Sequence, residues 1–344
     1  MKHIILVPLF LFLFFISASA QTLSTPRLIK CWEIGGISQT TKAEATYADL
    51  RLHINRKAYS QRVKELDEYL NKHVNKRLEV RVMMYRILGK QELNIPLTRT
   101  DTQDMRHAIT LAGLLNDRQL LSEVYSLYGE RSGLAENLFY DLKAIDIQND
   151  IGASHFSMLW LRYLSVSKAL FHTSDFEQSI RYGKECLALM KSPVPGVMDY
   201  LLQLDVLGAS YWQLGNADST AYFYRQIGSI LSHYFLGNDT YKNIWAGIDK
   251  GGEGMALFLQ RKYTEAKPLL QQNVASSFST GQWQDAAKAE NILARIHFTG
   301  KKYDSALVEW RNTLQWATRG SNLLLAKNAV GGIRDVYETT RKYD

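Results

Sequence analysis

An interval of 40 residues separates similar short motifs in the second half of the chain. The sequences KYTEA at 262–266 and KYDSA at 302–306 are followed by KYD at 342–344, so that tyrosines fall at positions 263, 303 and 343. Residues 175–179 and 216–221 hold the same place earlier in the chain. A fixed interval of this length is typical of arrays in which one supersecondary unit recurs and each copy is stabilised by its neighbours.

Each motif follows a segment with the periodicity of a helix. Leu204, Leu207, Gly208 and Tyr211 are spaced i, i+3, i+4 and i+7, and the same spacing recurs at positions 290, 293, 294 and 297. This spacing places one stripe on one face of a helix. We expect Gly208 to let a neighbouring helix approach closely, with Tyr211 packing beside it. Glycines at 215 and 300 follow these segments, where a left-handed residue commonly ends a helix.

The segment after each motif predicts a second helix. Ala266 and Ala306 are small residues that leave room for the neighbouring helix, and larger apolar residues follow them. Tyr263 and Tyr303 open these helices, where each ring can pack against the preceding helix while its hydroxyl stays in water. With only 6 prolines in 344 residues, long helices are permitted and an all-β fold is disfavoured.

These residues carry a resemblance to the tetratricopeptide repeat. Leu207-Gly208-Ala209-Ser210-Tyr211, followed by an aromatic residue and an alanine three positions on, as in Tyr303-Asp304-Ser305-Ala306, resembles its pattern of small and large residues. The interval of about 40 exceeds the roughly 34 residues of the standard repeat, and the proline that often closes that repeat is missing. The resemblance implies an all-α, right-handed α-solenoid of antiparallel helix pairs, about seven in number.

The repeat pattern divides the chain into segments. It is clear over 159–344, where the last repeat is incomplete, and weaker over 46–158, which we interpret as divergent helical hairpins. Residues 21–45 are expected to form an N-terminal linker. The incomplete last repeat predicts that the helix near residues 323–339 has an apolar face without a partner. The chain also resembles the exported repeat region of bacterial sensor histidine kinases and helix-turn-helix regulators, although it contains no output domain.

The first twenty residues have the features of a secretory signal peptide. Lys2 and His3 precede an uninterrupted apolar run over 4–16, and Ala18-Ser19-Ala20 provides a cleavage site before Gln21. The run is shorter than the roughly 20 residues that span a bilayer. We therefore expect export to the periplasm with cleavage after Ala20. The alternative is an uncleaved N-terminal anchor, and membrane association is expected only through such an anchor or through a missing C-terminal part.

No motif for catalysis, cofactor binding or metal binding is present. The sequence lacks a phosphate-binding G-x-x-x-x-G-K-[ST], an H-E-x-x-H and a G-x-S-x-G. The glycine-rich stretch 251–254 has helical flanks and predicts close helix packing instead of a phosphate cradle. His155 and His172 are expected on helix surfaces. Cys31 and Cys186 form no disulfide scaffold, and we expect Cys186 to act as a small buried apolar residue. No cofactor is expected.

The resemblance also implies where a ligand binds. In such arrays the first helix of each pair lines a groove, and this register directs six side chains into it: Asp205, Trp212, Lys288, Asn291, Arg295 and Phe298. Asn291 and Arg295 are four apart, so they can address one ligand together. Aromatic residues, arginine and asparagine suit a protein or peptide partner.

The functional hypothesis is therefore a non-catalytic, exported scaffold, the sensor or adaptor part of an envelope signalling system. The net charge of +7 is scattered along the chain, so nucleic acid is not expected as a partner. One alternative is a catalytic helical solenoid, a hydrolase or lyase, which acidic residues clustered with a histidine in the groove would favour. Another is carbohydrate binding through Trp212, Trp245, Trp283 and Trp310.

Overall fold

A computed structural model describes residues 24–33, 46, 49–50, 55–129, 134–156, 158–193, 196–234 and 239–340. The predicted signal peptide lies outside these residues. The described residues contain no strand and form fifteen α-helices with defined bounds: α1 Thr25–Glu33, α2 Arg56–Lys72, α3 Lys76–Glu92, α4 Arg99–Leu114, α5 Arg118–Gly129, α6 Leu134–Ile151, α7 Leu159–His172, α8 Phe176–Met190, α9 Val197–Gln213, α10 Ala217–His233, α11 Asp239–Leu259, α12 Tyr263–Thr280, α13 Trp283–Thr299, α14 Tyr303–Arg319 and α15 Leu323–Thr340.

The chain forms two compact units, residues 1–169 and 170–344, and the boundary falls inside α7. In unit 1, each helix from α2 to α5 contacts the next one along the chain. Helix α1 lies within the segment expected as a linker, and it contacts α2 and α3. Its side chains Leu28, Ile29 and Trp32 are buried, so this part of the segment belongs to the core of unit 1.

Unit 2 shows the stacking that the 40-residue interval predicts. Consecutive helices from α8 to α15 contact one another, and the alternate helices α9, α11, α13 and α15 also contact in series. Each of these four is the first helix of a pair, and α10, α12 and α14 are second helices. Because every hairpin packs against the next in the same order, unit 2 is an α-solenoid of antiparallel helix pairs with tetratricopeptide-like packing.

The motif residues of unit 2 lie at contacts between consecutive helices. Tyr263 and Tyr303 are the first residues of α12 and α14. Their rings lie 5.6 Å from the rings of Phe258 and Phe298 on the preceding helices. Ala266 and Ala306 are fully buried at 0% exposure, and Tyr211 stacks on Phe223 at 5.5 Å.

Glycines on first helices make room for large side chains of second helices. A Cβ added to Gly208 would lie 2.6 Å from the Tyr224 ring, as expected for a close approach, and one added to Gly252 would lie 2.0 Å from the same ring. The neighbouring Gly251 and Gly254 are closely packed against α12 in the same way. The stretch 251–254 is therefore a helix-packing element, as its helical flanks predict.

One expectation about the turns is wrong. Gly215 has the left-handed φ of 72°, but Gly300 has a φ of −78°. Lys301 instead has a φ of 59°, and the amide of Lys302 donates to the carbonyl of His297. In both turns the residue with left-handed φ is the one two positions before the next helix, and at that position the second turn has a lysine instead of a glycine.

Three further observations concern membrane-spanning helices, the two cysteines and the exposure of helix α15. Within the described residues, no helix combines the length and hydropathy needed to cross a membrane. Cys186 is buried in α8 and Cys31 is half-buried in α1. On α15, Ala329 and Val336 are buried, whereas Val330 is 53% exposed.

Candidate functional site

The first helices of unit 2 present aromatic side chains over a shared core. Trp212 of α9 and Phe258 of α11 are both half-buried and pack against the cluster that includes Met255, Ile292 and Leu293. The Trp212 indole N–H is buried and has no acceptor among the described residues. Two neighbouring first helices therefore place adjacent aromatic surfaces on the same cluster.

Arg295 of α13 extends this aromatic surface with a positive charge. Its side chain is exposed, and its guanidinium carbon lies 4.8 Å from the centre of the Phe258 ring. A guanidinium over an aromatic face is attracted by the ring quadrupole and keeps N–H groups free to bind a ligand. Arg295 is thus held in place by α11 while it faces solvent.

Phe258 is a site residue that the sequence interpretation missed. Trp212, Phe258 and Phe298 each precede the first residue of the following helix by five positions: 217, 263 and 303. Counting back from each second helix would have found it. Helix α11 has 21 residues, whereas α9 and α13 have 17. Counting from the start of each first helix therefore does not align Phe258 with Trp212.

Opposite charges lie beside the aromatic residues. The Lys288 ammonium donates to the Asp285 carboxylate at 2.9 Å, on α13. Asp205 of α9 accepts a hydrogen bond from the Tyr224 hydroxyl at 2.9 Å. Burial raises the pKa of the Asp205 carboxyl, the Lys288 charge lowers it and Asp285 raises it again. Because Lys288 and Asp285 act on Asp205, the charges of α9 and α13 lie within electrostatic reach of one another.

We call these five residues, Asp205, Trp212, Phe258, Lys288 and Arg295, the first-helix face. Four of them belong to the six residues expected to line a groove, and the structure places them on α9 and α13, the first helices on either side of α11. Of the other two, Asn291 is turned towards the core, and Phe298 is half-buried as Trp212 and Phe258 are. Asn291 is only 9% exposed, and its side-chain oxygen accepts a hydrogen bond from the Trp310 indole at 3.3 Å. Phe298 packs between Tyr303 and Trp310.

A second polar cluster lies inside the hairpins of unit 2. His297 of α13 has its Nδ1 atom 2.8 Å from Oε2 of Glu309 on α14 and its Nε2 atom 2.9 Å from Nζ of Lys267 on α12. Burial and the neighbouring Glu290 raise the pKa of Glu309 to about 7, and Lys267 opposes this rise. Burial, Lys267 and Lys302 lower the pKa of His297.

This cluster combines acidic residues with a histidine, the combination that a catalytic solenoid would require. Its members are enclosed, however: Glu290 is 7% exposed, and the side chains of His297 and Glu309 are 10% and 14% exposed. His297 and Glu309 lie between the two helices of a pair, where apolar residues would be usual. No member of this cluster belongs to the first-helix face. No sequence motif reveals them, because they come from three helices.

The remaining candidate residues are dispersed. Trp245 and Trp310 are buried at 7% and 4% exposure, so the four tryptophans do not form a surface strip. Trp283 instead stacks on Trp316 at 5.4 Å, and the Arg319 guanidinium covers it at 3.8 Å. His155 and His172 are each exposed. In the described part of the chain, no three histidine, cysteine or acidic residues are placed to hold a metal ion.

Comparisons with known proteins give matches in structure alone. No protein-family model matches the chain, and no curated protein matches it in sequence. One similar structure is a Signal Transduction ATPase with Numerous Domains protein with a tetratricopeptide repeat sensor, from Pyrococcus horikoshii. It is 15% identical, with a TM-score of 0.43, and the match covers 87% of this chain and 43% of that one. The present chain thus spans less than half of that protein.

A second similar structure is the C-terminal part of a TPR repeat-containing protein from Cytophaga hutchinsonii. It is 14% identical, with a TM-score of 0.47, and the match covers 83% of this chain and 98% of that one. At these levels of similarity the description of the fold depends on the helix packing of this chain itself.

Proposed function

We propose that this chain is a non-catalytic scaffold that binds an extended segment of another protein along the first-helix face of unit 2. The observation that carries the proposal is the exposed Arg295 guanidinium held over Phe258, next to the half-buried Trp212. Tryptophan and arginine are the residues most often found where binding energy is concentrated in protein interfaces.

The charges beside these aromatic residues support a peptide over an apolar ligand. Asp205 on α9 and the Lys288–Asp285 pair on α13 lie on the first helices on either side of α11, so they can bind the polar groups of a peptide whose side chains contact Trp212 and Phe258. The mixed signs of charge favour a ligand with both donors and acceptors, as a peptide main chain has.

Peptide selection tests this proposal. Random twelve-residue peptides are selected on the purified protein, and the affinity of the best binders is measured by fluorescence anisotropy. We expect Arg295→Glu and Trp212→Ala each to weaken binding by about tenfold or more, which corresponds to roughly 1.4 kcal/mol. Arg311→Glu makes the same charge change on the second helix α14 and should leave the affinity unchanged. Selected peptides that bind equally to all three variants would contradict the proposal.

We further propose that the scaffold is exported and acts as the sensor or adaptor part of an envelope signalling system. The supporting feature is the N-terminal sequence, a basic start with a short apolar run and a small-residue cleavage site. N-terminal sequencing of protein expressed from the full reading frame tests it. A mature chain starting at Gln21 in the periplasmic fraction is expected. A chain that starts at Met1 in the cytosol would overturn this part of the proposal.

A further inference from the structure

Unit 1 contains a cavity of about 110 Å³ between its helices and α1. Its walls combine apolar residues, among them Trp32, Met84 and Leu127, with the charged residues Arg81, Glu123 and Arg162. The volume is somewhat below that of an apolar cavity on the order of 150 Å³ that holds benzene. The cavity is also partly open, so a compact organic molecule of about six to nine non-hydrogen atoms can bind with its body enclosed and its edge in the opening.

The charges in the walls are already balanced by protein groups. Arg81 donates from Nη2 to Glu123 at 3.0 Å, and Arg162 donates to Asp141 at 3.1 Å. All four side chains are at most 8% exposed. The positive charges of the two arginines are thus balanced by the negative charges of Glu123 and Asp141. An ionic ligand would add an uncompensated charge beside these buried ion pairs, which is unfavourable. The balance favours a neutral ligand.

One buried donor of the cavity wall has no acceptor among the described residues. The Nε atom of Arg81 is buried, and no described residue accepts a hydrogen bond from it, although Arg81 is only 7% exposed. A guanidinium N–H removed from water without an acceptor costs free energy, which a suitably placed oxygen would recover. The donor belongs to a residue in the wall of the cavity.

We propose that this cavity binds a neutral small molecule with one carbonyl or amide oxygen and a compact apolar body. The oxygen accepts a hydrogen bond from Arg81 Nε, and the apolar body contacts Trp32, Met84 and Leu127. The inference concerns unit 1 and is independent of peptide binding by unit 2. The ligand class follows from three constraints that act together: the volume, the balanced charge and the single unsatisfied donor.

Ligand-observed NMR with benzamide, benzoate and toluene tests the proposal on the full chain. These probes share a ring and differ in its substituent, which is a neutral amide, a charged carboxylate or an apolar methyl group. We expect benzamide to bind in the millimolar range and to bind more tightly than either of the others by about tenfold. No binding of benzamide, or tighter binding of benzoate or toluene, would overturn the proposal.

Variants locate the binding site. Arg81→Met combined with Glu123→Met removes the donor without leaving a buried charge, and it should weaken benzamide binding about tenfold. Leu161→Phe, in the cavity wall, should block binding by filling the space while both ion pairs remain. The matched control is Arg118→Met combined with Asp150→Met, an exposed pair, which should bind benzamide normally. Circular dichroism confirms folding of each variant. Unchanged binding in folded Leu161→Phe would also overturn the proposal.

Discussion

The ring of Tyr224 occupies the space that a side chain on Gly252 would need: a Cβ on this glycine would lie 2.0 Å from the ring. Tyr224 belongs to the second helix α10 and Gly252 to the first helix of the next pair. The same relationship recurs between Trp310 of α14 and Gly332 of α15, where the corresponding distance is 2.1 Å. Successive hairpins thus stack by placing a large ring against a glycine.

The pair Gly331 and Gly332 allows this packing to be tested with a matched control. A Cβ on Gly332 would overlap the Trp310 ring, whereas one on Gly331 would meet no atom within 4 Å. We expect Gly332→Ala to lower the free energy of unfolding by about 1–3 kcal/mol through overpacking. Gly331→Ala should raise it by up to about 1 kcal/mol, because alanine favours the helix. Urea unfolding measures both. Equal effects of the two substitutions would contradict the packing described.

The position of Ala306 leads to a similar prediction for the contact within a pair. Ala306 is fully buried, and Val308, two residues on, is 56% exposed. Ala306→Leu should cost about 1–3 kcal/mol of stability, since the helix must move to admit three more carbon atoms. Val308→Leu serves as the control, and its melting temperature should match that of the wild type. A wild-type melting temperature for Ala306→Leu would refute the register of this hairpin.

The hydrogen bond between Tyr224 and Asp205 predicts different outcomes for two substitutions. Asp205→Asn retains an oxygen that accepts from the Tyr224 hydroxyl, as Asn291 does for Trp310. It should therefore change stability by less than about 0.5 kcal/mol. Asp205→Ala leaves the hydroxyl without its acceptor and should cost about 1–3 kcal/mol. Thermal unfolding at neutral pH compares them. A larger loss for the asparagine variant than for the alanine variant would show that the carboxylate charge matters more than the hydrogen bond.

The Glu309 carboxyl makes the stability of unit 2 depend on pH. Its pKa is raised from 4.5 to about 7 in the folded protein, so the folded state holds a proton that the unfolded state has released. The associated stabilisation is complete below the unfolded pKa and is lost as the pH rises through about 7. His297 has a lowered pKa and acts in the opposite direction, but only below its unfolded value of 6.5.

We therefore expect the free energy of unfolding to fall by about 1 kcal/mol between about pH 6 and pH 8. Glu309→Gln should remove most of this decrease, since an amide does not titrate. Glu338→Gln, at a side chain that is 57% exposed, should leave it in place. Urea unfolding over this pH range measures the slope. A wild-type slope in Glu309→Gln would place the titration elsewhere.

The sequence pattern predicts much of the framework of unit 2 because the features that specify helix pairs are local. Helical periodicity, the aromatic residue that opens each second helix and the small residues at 208, 266 and 306 all act within one hairpin. Their regular interval places Tyr263 and Tyr303 at helix starts, as observed. The same pattern assigns the left-handed turn residue to Gly300, but the geometry places it at Lys301, because backbone position outweighs residue preference at a single site.

The sequence by itself determined that helices form, where they begin and that they stack as pairs, since short-range periodicity and repetition encode these properties. Only the tertiary structure decided which polar groups meet. Arg295 lies over Phe258, Asn291 turns to Trp310, and Glu309 reaches His297, each across two helices. Such neighbours depend on the distances and rotations between helices, and these follow from the packing of side chains far apart in the chain.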